Sequence, residues 1–265
     1  MHKLSFHKSS FSDLNNTPKR IISLVPSQTE LLFDLGLDNE ILEVTKFCIH
    51  PFHAKQTKTI VGGTKNIKIH KIKELKPDII LCNKEENTLE IVQECAEICP
   101  VHVSDIYTMD DAIHLIEEYG TIFNRRVESS HIIQKLQFKL KDFTQFIQDK
   151  KILKVAYFIW RNPWMVAANQ TFINHLLELN KFENIYRDRE RYPEVELKKI
   201  RLEGDPDLIF LSSEPYPFKD EHAFEVGRFA HHAKTVFVDG ELFSWYGSRL
   251  LKSFDYFKKL RSRLE

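Results

Sequence analysis

The sequence predicts an α/β fold of two parallel-sheet lobes flanked by helices, joined by one long backbone helix, with a ligand cleft between the lobes. Three features predict it. Short apolar runs rich in β-branched residues alternate with amphipathic stretches, the alternation occurs twice in the same order, and a charged stretch without proline or glycine separates the two occurrences. The implied organisation is an N-terminal segment over 1–19, a first lobe over 20–123, a connecting helix over 124–149 and a second lobe over 150–265 that includes a terminal helix.

In the first lobe, residues 20–26 read as a buried parallel strand that stops at Pro26. Ser27 or Thr29 is placed to cap a short helix over 31–36 that Gly36 closes. A second strand follows over 41–45, an amphipathic turn or two over 69–75, and a third strand over 78–82. The second lobe repeats this grammar: a strand over 154–160, a helix opening at 169–173 with its body at 176–180, then 183–186, 195–200 and the strand 206–211. A last strand is expected over 235–239. The pairs Gln28-Thr29 and Gln170-Thr171, and Pro77-Asp78 and Pro206-Asp207, recur in the same order, as a duplicated unit would show. Between the lobes, Ile132, Ile133, Leu136, Leu140, Phe143 and Phe146 form one face of a single helix about 39 Å long at about 1.5 Å per residue. Ligands of open parallel sheets bind beyond the carboxyl ends of the strands, so this arrangement predicts a receptor and no catalyst.

Composition narrows the function classes. The chain has 265 residues, 42% of them hydrophobic and 29% charged, as a soluble globular protein does. Its 38 Lys and Arg balance its 38 Asp and Glu, so there is no basic field for nucleic-acid binding. Four cysteines without a C-x-x-C pair predict free thiols. No apolar run is long enough to span a bilayer, and the polar start predicts a cytoplasmic protein if Met1 is the native start, or a periplasmic one if a signal peptide has been removed. The phosphate-binding glycine motifs, H-E-x-x-H and G-x-S-x-G are absent, so no enzyme class is nominated by spacing and no catalytic or metal-ligating set is assigned.

Residues 20–32, 72–80 and 207–211, the strand and helix openings of both lobes, resemble the helical-backbone metal receptors, also called class III periplasmic solute-binding proteins. The resemblance runs from about Arg20 to Leu260 and is nearest to the cobalamin-binding branch. It implies a monomeric receptor for cobalamin or a related metal chelate, serving an ABC permease, and it leaves the ligand open because one fold carries many ligands.

The cleft positions follow from that resemblance and from the strand ends. Phe47, Cys48 and His50 stand where cobalamin binders have an aromatic-polar-proline loop, and Cys48 with His50 would offer soft sulfur and imidazole to a metal. The alternative is a small buried cysteine and an ordinary loop histidine. Trp160, Arg161 and Trp164 end the first strand of the second lobe, where indole faces suit a macrocycle and the guanidinium suits its polar periphery; Trp160 is equally readable as core. Tyr192 and Glu214, the latter followed by Pro215 and Tyr216, sit at corresponding loop positions. Trp245, Tyr246 and Arg249 follow the last strand, with Arg249 alternatively a helix cap or an ion-pair partner of Asp239. By resemblance, Thr64 and Asn83 replace aromatic residues that face the corrin, and His70 and Lys198 replace the glutamates that dock the carrier on its permease. Three functions therefore stand open: an importer's receptor, a cytoplasmic metal-cofactor binder or chaperone, and an enzyme using Cys48 and His50 as nucleophile and base.

Overall fold

Residues 16–264 are described by the structure, a computed structural model, so positions 1–15 of the expected N-terminal segment lie outside the described residues. The chain divides into two compact units. The first comprises the described residues through Asp105 together with Asp111–Gln134 and Gly247–Arg249; the second comprises Ile106–Asp110, Lys135–Tyr246 and the residues from Leu250 onward.

The first unit is built on five strands, β1 (Ile21–Ser23), β2 (Ile41–Val44), β3 (Thr59–Ile60), β4 (Ile79–Asn83) and β5 (Val101–Ser104), in the order β3-β2-β1-β4-β5 and parallel throughout. β1 and β4 are buried at every position, which a central parallel strand covered on both faces requires. The helices α1 (Pro26–Asp34), α2 (Ala54–Thr57), α3 (Ile69–Leu75), α4 (Leu89–Ala96) and α5 (Met109–Ile122) belong wholly or largely to this unit. Ile22, Leu24, Ile72, Ile80, Cys82, Ile91, Val92 and Cys95 form one buried cluster beneath α3 and α4.

The start of α1 departs from the expectation. Pro26 is its first residue and Val25 its cap, without a side-chain hydrogen bond, because proline's missing N–H and fixed φ suit that position. Thr29 does not cap; its hydroxyl donates to the Ser23 Oγ at 2.8 Å. The end of α1 is as expected: Gly36 takes φ +72°, its N–H bonds the Phe33 carbonyl at 2.9 Å and that of Leu37 bonds the Leu32 carbonyl at 3.1 Å, which satisfies the last carbonyls.

α6 (Arg126–Ile147) is the expected connecting helix, shorter at each end than 124–149 and about 33 Å long at about 1.5 Å per residue. The second unit follows with β6 (Leu153–Trp160), β7 (Met165–Val166), α7 (Phe172–Leu179), β8 (Phe182–Asn184), a 3-10 turn at Leu197–Lys199, α8 (Ile200–Glu203), β9 (Leu208–Ser212), α9 (Asp220–Gly227), β10 (Lys234–Val238), α10 (Gly240–Ser244) and α11 (Leu250–Leu264). β10, β9, β6 and β8 are parallel neighbours in that order, and the short β7 runs antiparallel along the carboxyl end of β6. Thr171 caps α7, its hydroxyl accepting the Asn174 N–H at 3.1 Å.

The two sheets share one plan, because β2-β1-β4-β5 has the same connection order as β8-β6-β9-β10. They also share a local device. Asp78 Oδ2 accepts the N–H groups of Lys19 and Arg20 at 2.8 and 3.0 Å, and Asp207 Oδ2 accepts that of Lys154 at 2.7 Å, so each aspartate ties the entry of its central strand to the strand beside it.

Gly120 is buried inside α5 at a close approach to α6, where an added Cβ would lie 2.0 Å from Ser129 Oγ and 2.7 Å from its Cβ. Gly120→Ala is expected to lower stability by about 1–3 kcal/mol in urea denaturation, and Ser129→Gly in the same chain is expected to recover part of the loss. An unchanged midpoint for the single variant would contradict the packing described.

Candidate functional site

In each unit the chain switches from one side of its central strand to the other, which leaves the carboxyl ends of β1 and β4, and of β6 and β9, as the places where loops diverge. The expected site residues lie on the loops around these ends, which also hold the cis peptide bonds His50–Pro51, Asn162–Pro163 and Glu214–Pro215.

In the first unit the loop after β2 presents Phe47, 48% exposed, with the Lys46 ammonium 4.9 Å from its ring centroid. Gly63 lets this ring approach, since a Cβ there would meet it at 3.3 Å. His50 is half-buried in the same loop. Cys48 is fully buried, its sulfur 3.2 Å from Thr29 Oγ1 and 3.3 Å from Thr45 Oγ1. Burial pushes its thiol pKa up, against the lowering effect of the two threonine hydrogen bonds. The ligand-facing reading of Cys48 is therefore corrected: the side chain is spent on the interior of the loop. Among the described residues no group of three or more His, Cys, Asp or Glu is arranged to hold a metal ion.

Thr64 and Asn83 are also buried, for a different reason. Asn83 Nδ2 donates to Ser104 Oγ at 3.0 Å, Gln28 Nε2 donates to the same oxygen at 2.6 Å, and Tyr119 OH donates to Gln28 Oε1 at 2.7 Å. Asn87 extends the chain of bonds, accepting the Asn83 N–H at 2.9 Å and donating to the Thr64 carbonyl at 2.9 Å. The Asn83 side chain and the Thr64 carbonyl are thus links that hold the loops after β3 and β4. Beside them, burial and the neighbouring Glu85 raise the Glu86 pKa, opposed by Lys65 and a hydrogen bond from Thr64.

Arg249 neither caps a helix nor pairs with Asp239. Its Nε and Nη2 donate to Glu30 Oε2 and Oε1 at 2.6 and 2.9 Å, a bidentate pair with both side chains buried. That commitment corrects its assignment to a ligand.

In the second unit an aromatic array occupies the carboxyl end of the sheet. Trp160, the last residue of β6, is 39% exposed and so is not core; its ring meets Tyr216 edge-on with centroids 5.5 Å apart. Trp164 is half-buried, stacked on Phe218 at 5.7 Å and 10° and edge-on to Phe158 at 5.3 Å. Tyr216 and Phe218 are themselves 4.8 Å apart. His222 on α9 braces them, its Nδ1 accepting the Lys219 N–H at 2.8 Å and its Nε2 lying 3.1 Å from Tyr216 OH. Arg161 donates from Nε and Nη2 to Glu225 Oε2 at 3.0 and 2.8 Å, with its guanidinium 5.8 Å from the Trp164 ring centroid.

Glu214 anchors the end of α10: its Oε1 accepts Trp245 Nε1–H at 2.9 Å and Ser244 Oγ–H at 3.0 Å. Trp245 and Tyr246 are buried, the latter edge-on to Phe172 at 6.1 Å. Tyr192 is half-buried beside Arg191, whose Nη1 donates to Tyr107 OH at 3.0 Å. The structure thus brings Trp160, Arg161 and Trp164 together, and joins Glu214 to Trp245. Phe218 and His222 were missed from the sequence, although the alternation Pro215-Tyr216-Pro217-Phe218 at a strand end marks an extended aromatic segment.

Comparison with known proteins places these units among receptors. The profile of the family described as periplasmic binding protein matches residues 21–232. A vitamin B12-binding protein of Pectobacterium carotovorum is 25% identical over 245 residues, covering 88% of this chain and 85% of the relative. The Bacillus subtilis ABC transporter substrate-binding lipoprotein YvrC is 24% identical over 255 residues, covering 90% and 78%. In structure, the periplasmic vitamin B12-binding protein BtuF of Vibrio cholerae matches with a TM-score of 0.80 at 19% identity, over 94% of this chain and 98% of that one. The periplasmic heme-binding protein RhuT of Roseiflexus matches at 0.81 and 13% identity, over 93% and 98%. The family resemblance and the α/β class drawn from the sequence are borne out. The expectation of a cytoplasmic protein is overturned, because these relatives are a lipoprotein and periplasmic proteins; the cytoplasmic chaperone alternative falls with it.

The buried Arg249–Glu30 pair leaves an uncompensated charge if one partner is removed. Glu30→Ala is expected to destabilise the protein by about 3–5 kcal/mol, read as a lower urea midpoint, and a loss below about 1 kcal/mol would show that the pair is solvated.

Proposed function

The chain belongs to the periplasmic binding protein family, and on that premise we propose that it is a solute-binding receptor for a flat metal chelate of the corrinoid or tetrapyrrole type, delivering it to an ABC permease outside the cytoplasm. The aromatic array of Trp160, Trp164, Tyr216 and Phe218 carries the reading. Such rings offer large apolar faces to a macrocycle at low conformational cost. Arg161 at their edge supplies a donor for carboxylate, amide or phosphate groups on the macrocycle's rim. Vitamin B12-binding and heme-binding relatives on the same fold support the ligand class.

The partly exposed Trp160 is the ligand contact in this array, and Trp164 holds the rings that flank it. On the first unit taken by itself, the exposed Phe47 and the half-buried His50 are the side chains that the loop after β2 offers to a ligand. We read the protein as a binder: the Cys48 thiol is fully buried and burial pushes its pKa up, which disfavours the thiolate that a nucleophilic cysteine needs. On the helices where carriers of this kind dock, Lys198 is paired with Glu196 at 2.9 Å and His70 is exposed, so docking on a permease does not rest on acids at these two positions.

Titration with cobalamin, cobinamide and haemin, followed by visible absorbance and calorimetry, tests the reading. At least one is expected to bind saturably at one equivalent, and Trp160→Ala is expected to weaken it by about tenfold, on the order of 1.4 kcal/mol, while Leu202→Ser on the exposed face of α8 leaves it unchanged. Failure of all three ligands would contradict the tetrapyrrole class. In the same preparation native Cys48 is expected to resist iodoacetamide at pH 8, because its pKa is raised and the thiolate fraction is correspondingly small; rapid alkylation of Cys48 would revive the nucleophile.

A further inference from the structure

The segment around α3 is strongly basic. Residues 65–76 carry five lysines and one glutamate, in a chain of zero net charge. Ile72 is buried, and Ile69 and Leu75 pack against the same apolar cluster, so α3 gives one face to the core and turns the rest outward. Lys65, Lys68, Lys73 and Lys76 are exposed and Lys71 is half-buried. Lys68 and Lys76 flank the helix, about 12 Å apart at about 1.5 Å per residue, which is near the screening length of about 10 Å at 0.1 M salt. Their fields therefore add. Arg20 extends the patch at the Lys76 end, exposed and donating from Nε to the Lys76 carbonyl at 3.0 Å.

The matching place in the second unit is built differently. The stretch Leu197–Glu203 precedes β9 as α3 precedes β4 in the shared plan. There Lys198 and Lys199 both pair with Glu196, at 2.9 and 2.5 Å, and Arg201 lies 3.5 Å from Asp205. Around α3 none of the five lysines is ion-paired to another described residue; Lys71 and Lys65 act on Glu43 and Glu86 only through longer-range fields. Like charges held together without counter-charges repel one another, and a bound anionic surface removes that repulsion.

We propose that the outward face of α3 docks the first unit on a bilayer surface rich in anionic phospholipid. The residue type favours lipid over an acidic protein. Lysine is a compact, strongly hydrated charge on a flexible stem, and it is depleted at protein–protein interfaces, where arginine is enriched; residues 65–76 contain no arginine. A diffuse field of headgroup charges demands no fixed geometry and attracts each lysine that comes near the surface. A receptor that delivers to a permease works beside a bilayer, so the proposal rests on the receptor reading for its setting, while its test uses no chelate ligand.

Flotation of the full chain with vesicles of phosphatidylglycerol and phosphatidylcholine in equal parts tests the docking face. Binding is expected on those vesicles, is expected to be absent on pure phosphatidylcholine, and is expected to vanish in about 0.5 M NaCl. Joint replacement by Lys68→Gln, Lys73→Gln and Lys76→Gln is expected to weaken binding about a hundredfold. Lys198→Gln, Lys199→Gln and Arg201→Gln together make the same change in net charge and are expected to keep most of the binding. No binding by the parent, equal binding to neutral vesicles, or equal losses in the two triple variants would overturn the proposal. Binding to soluble polyglutamate without binding to vesicles would overturn it in favour of an acidic protein partner. Titration of the α3 variant with cobalamin, cobinamide and haemin separates the two readings. Unchanged ligand binding alongside lost vesicle binding supports the docking face, and failure of every ligand with a parent that binds vesicles contradicts the chelate class alone.

Discussion

A parallel sheet must be covered on both faces, and this constraint governs what each residue here is free to do. Every position of β1, β4 and β9 is buried, as is the interior of β6, so side chains on the strands are committed to packing. Polar chemistry is then confined to the loops at the strand ends. Even there, much of it goes to holding loops in place: Asn83, Asn87, Gln28, Ser104 and Tyr119 form a continuous hydrogen-bonded chain, and Glu214 ties down Trp245.

The ring cluster of the second unit is the feature on which the proposed ligand class rests. The second unit offers rings braced from behind by His222 and by stacking, so their positions are set before a ligand arrives. A guanidinium fixed by Glu225 stands at their edge. In the first unit, buried hydrogen bonds through Asn83 and Asn87 tie the loops after β3 and β4 together.

Much of the fold was legible in the sequence, because apolar runs bounded by proline or glycine report buried strands directly. β1, β4, β6 and β9 and the connecting helix were read this way. β5 was not, since Val101, His102, Val103 and Ser104 alternate in exposure at a sheet edge and include a histidine whose burial is compensated by Glu118 at 3.0 Å. α5 was not read from the sequence; its Gly120 is where α6 comes close, through Ser129. The site was less legible for a related reason. Residue type and loop position place a side chain near a strand end, but whether it faces outward depends on partners distant in sequence: Glu30 claims Arg249, Thr29 claims Cys48, and Tyr216 and Phe218 turn Trp160 out and Trp164 in.

On the proposed function, the aromatic loops at the carboxyl ends of the strands bind a flat metal chelate. A crystal structure of the protein grown with cobalamin or haemin tests it most directly. Ordered density for the macrocycle is expected in contact with Trp160 and Tyr216, with Arg161 at its rim. Density for the ring elsewhere on the chain, with Trp160 left facing solvent, would contradict it.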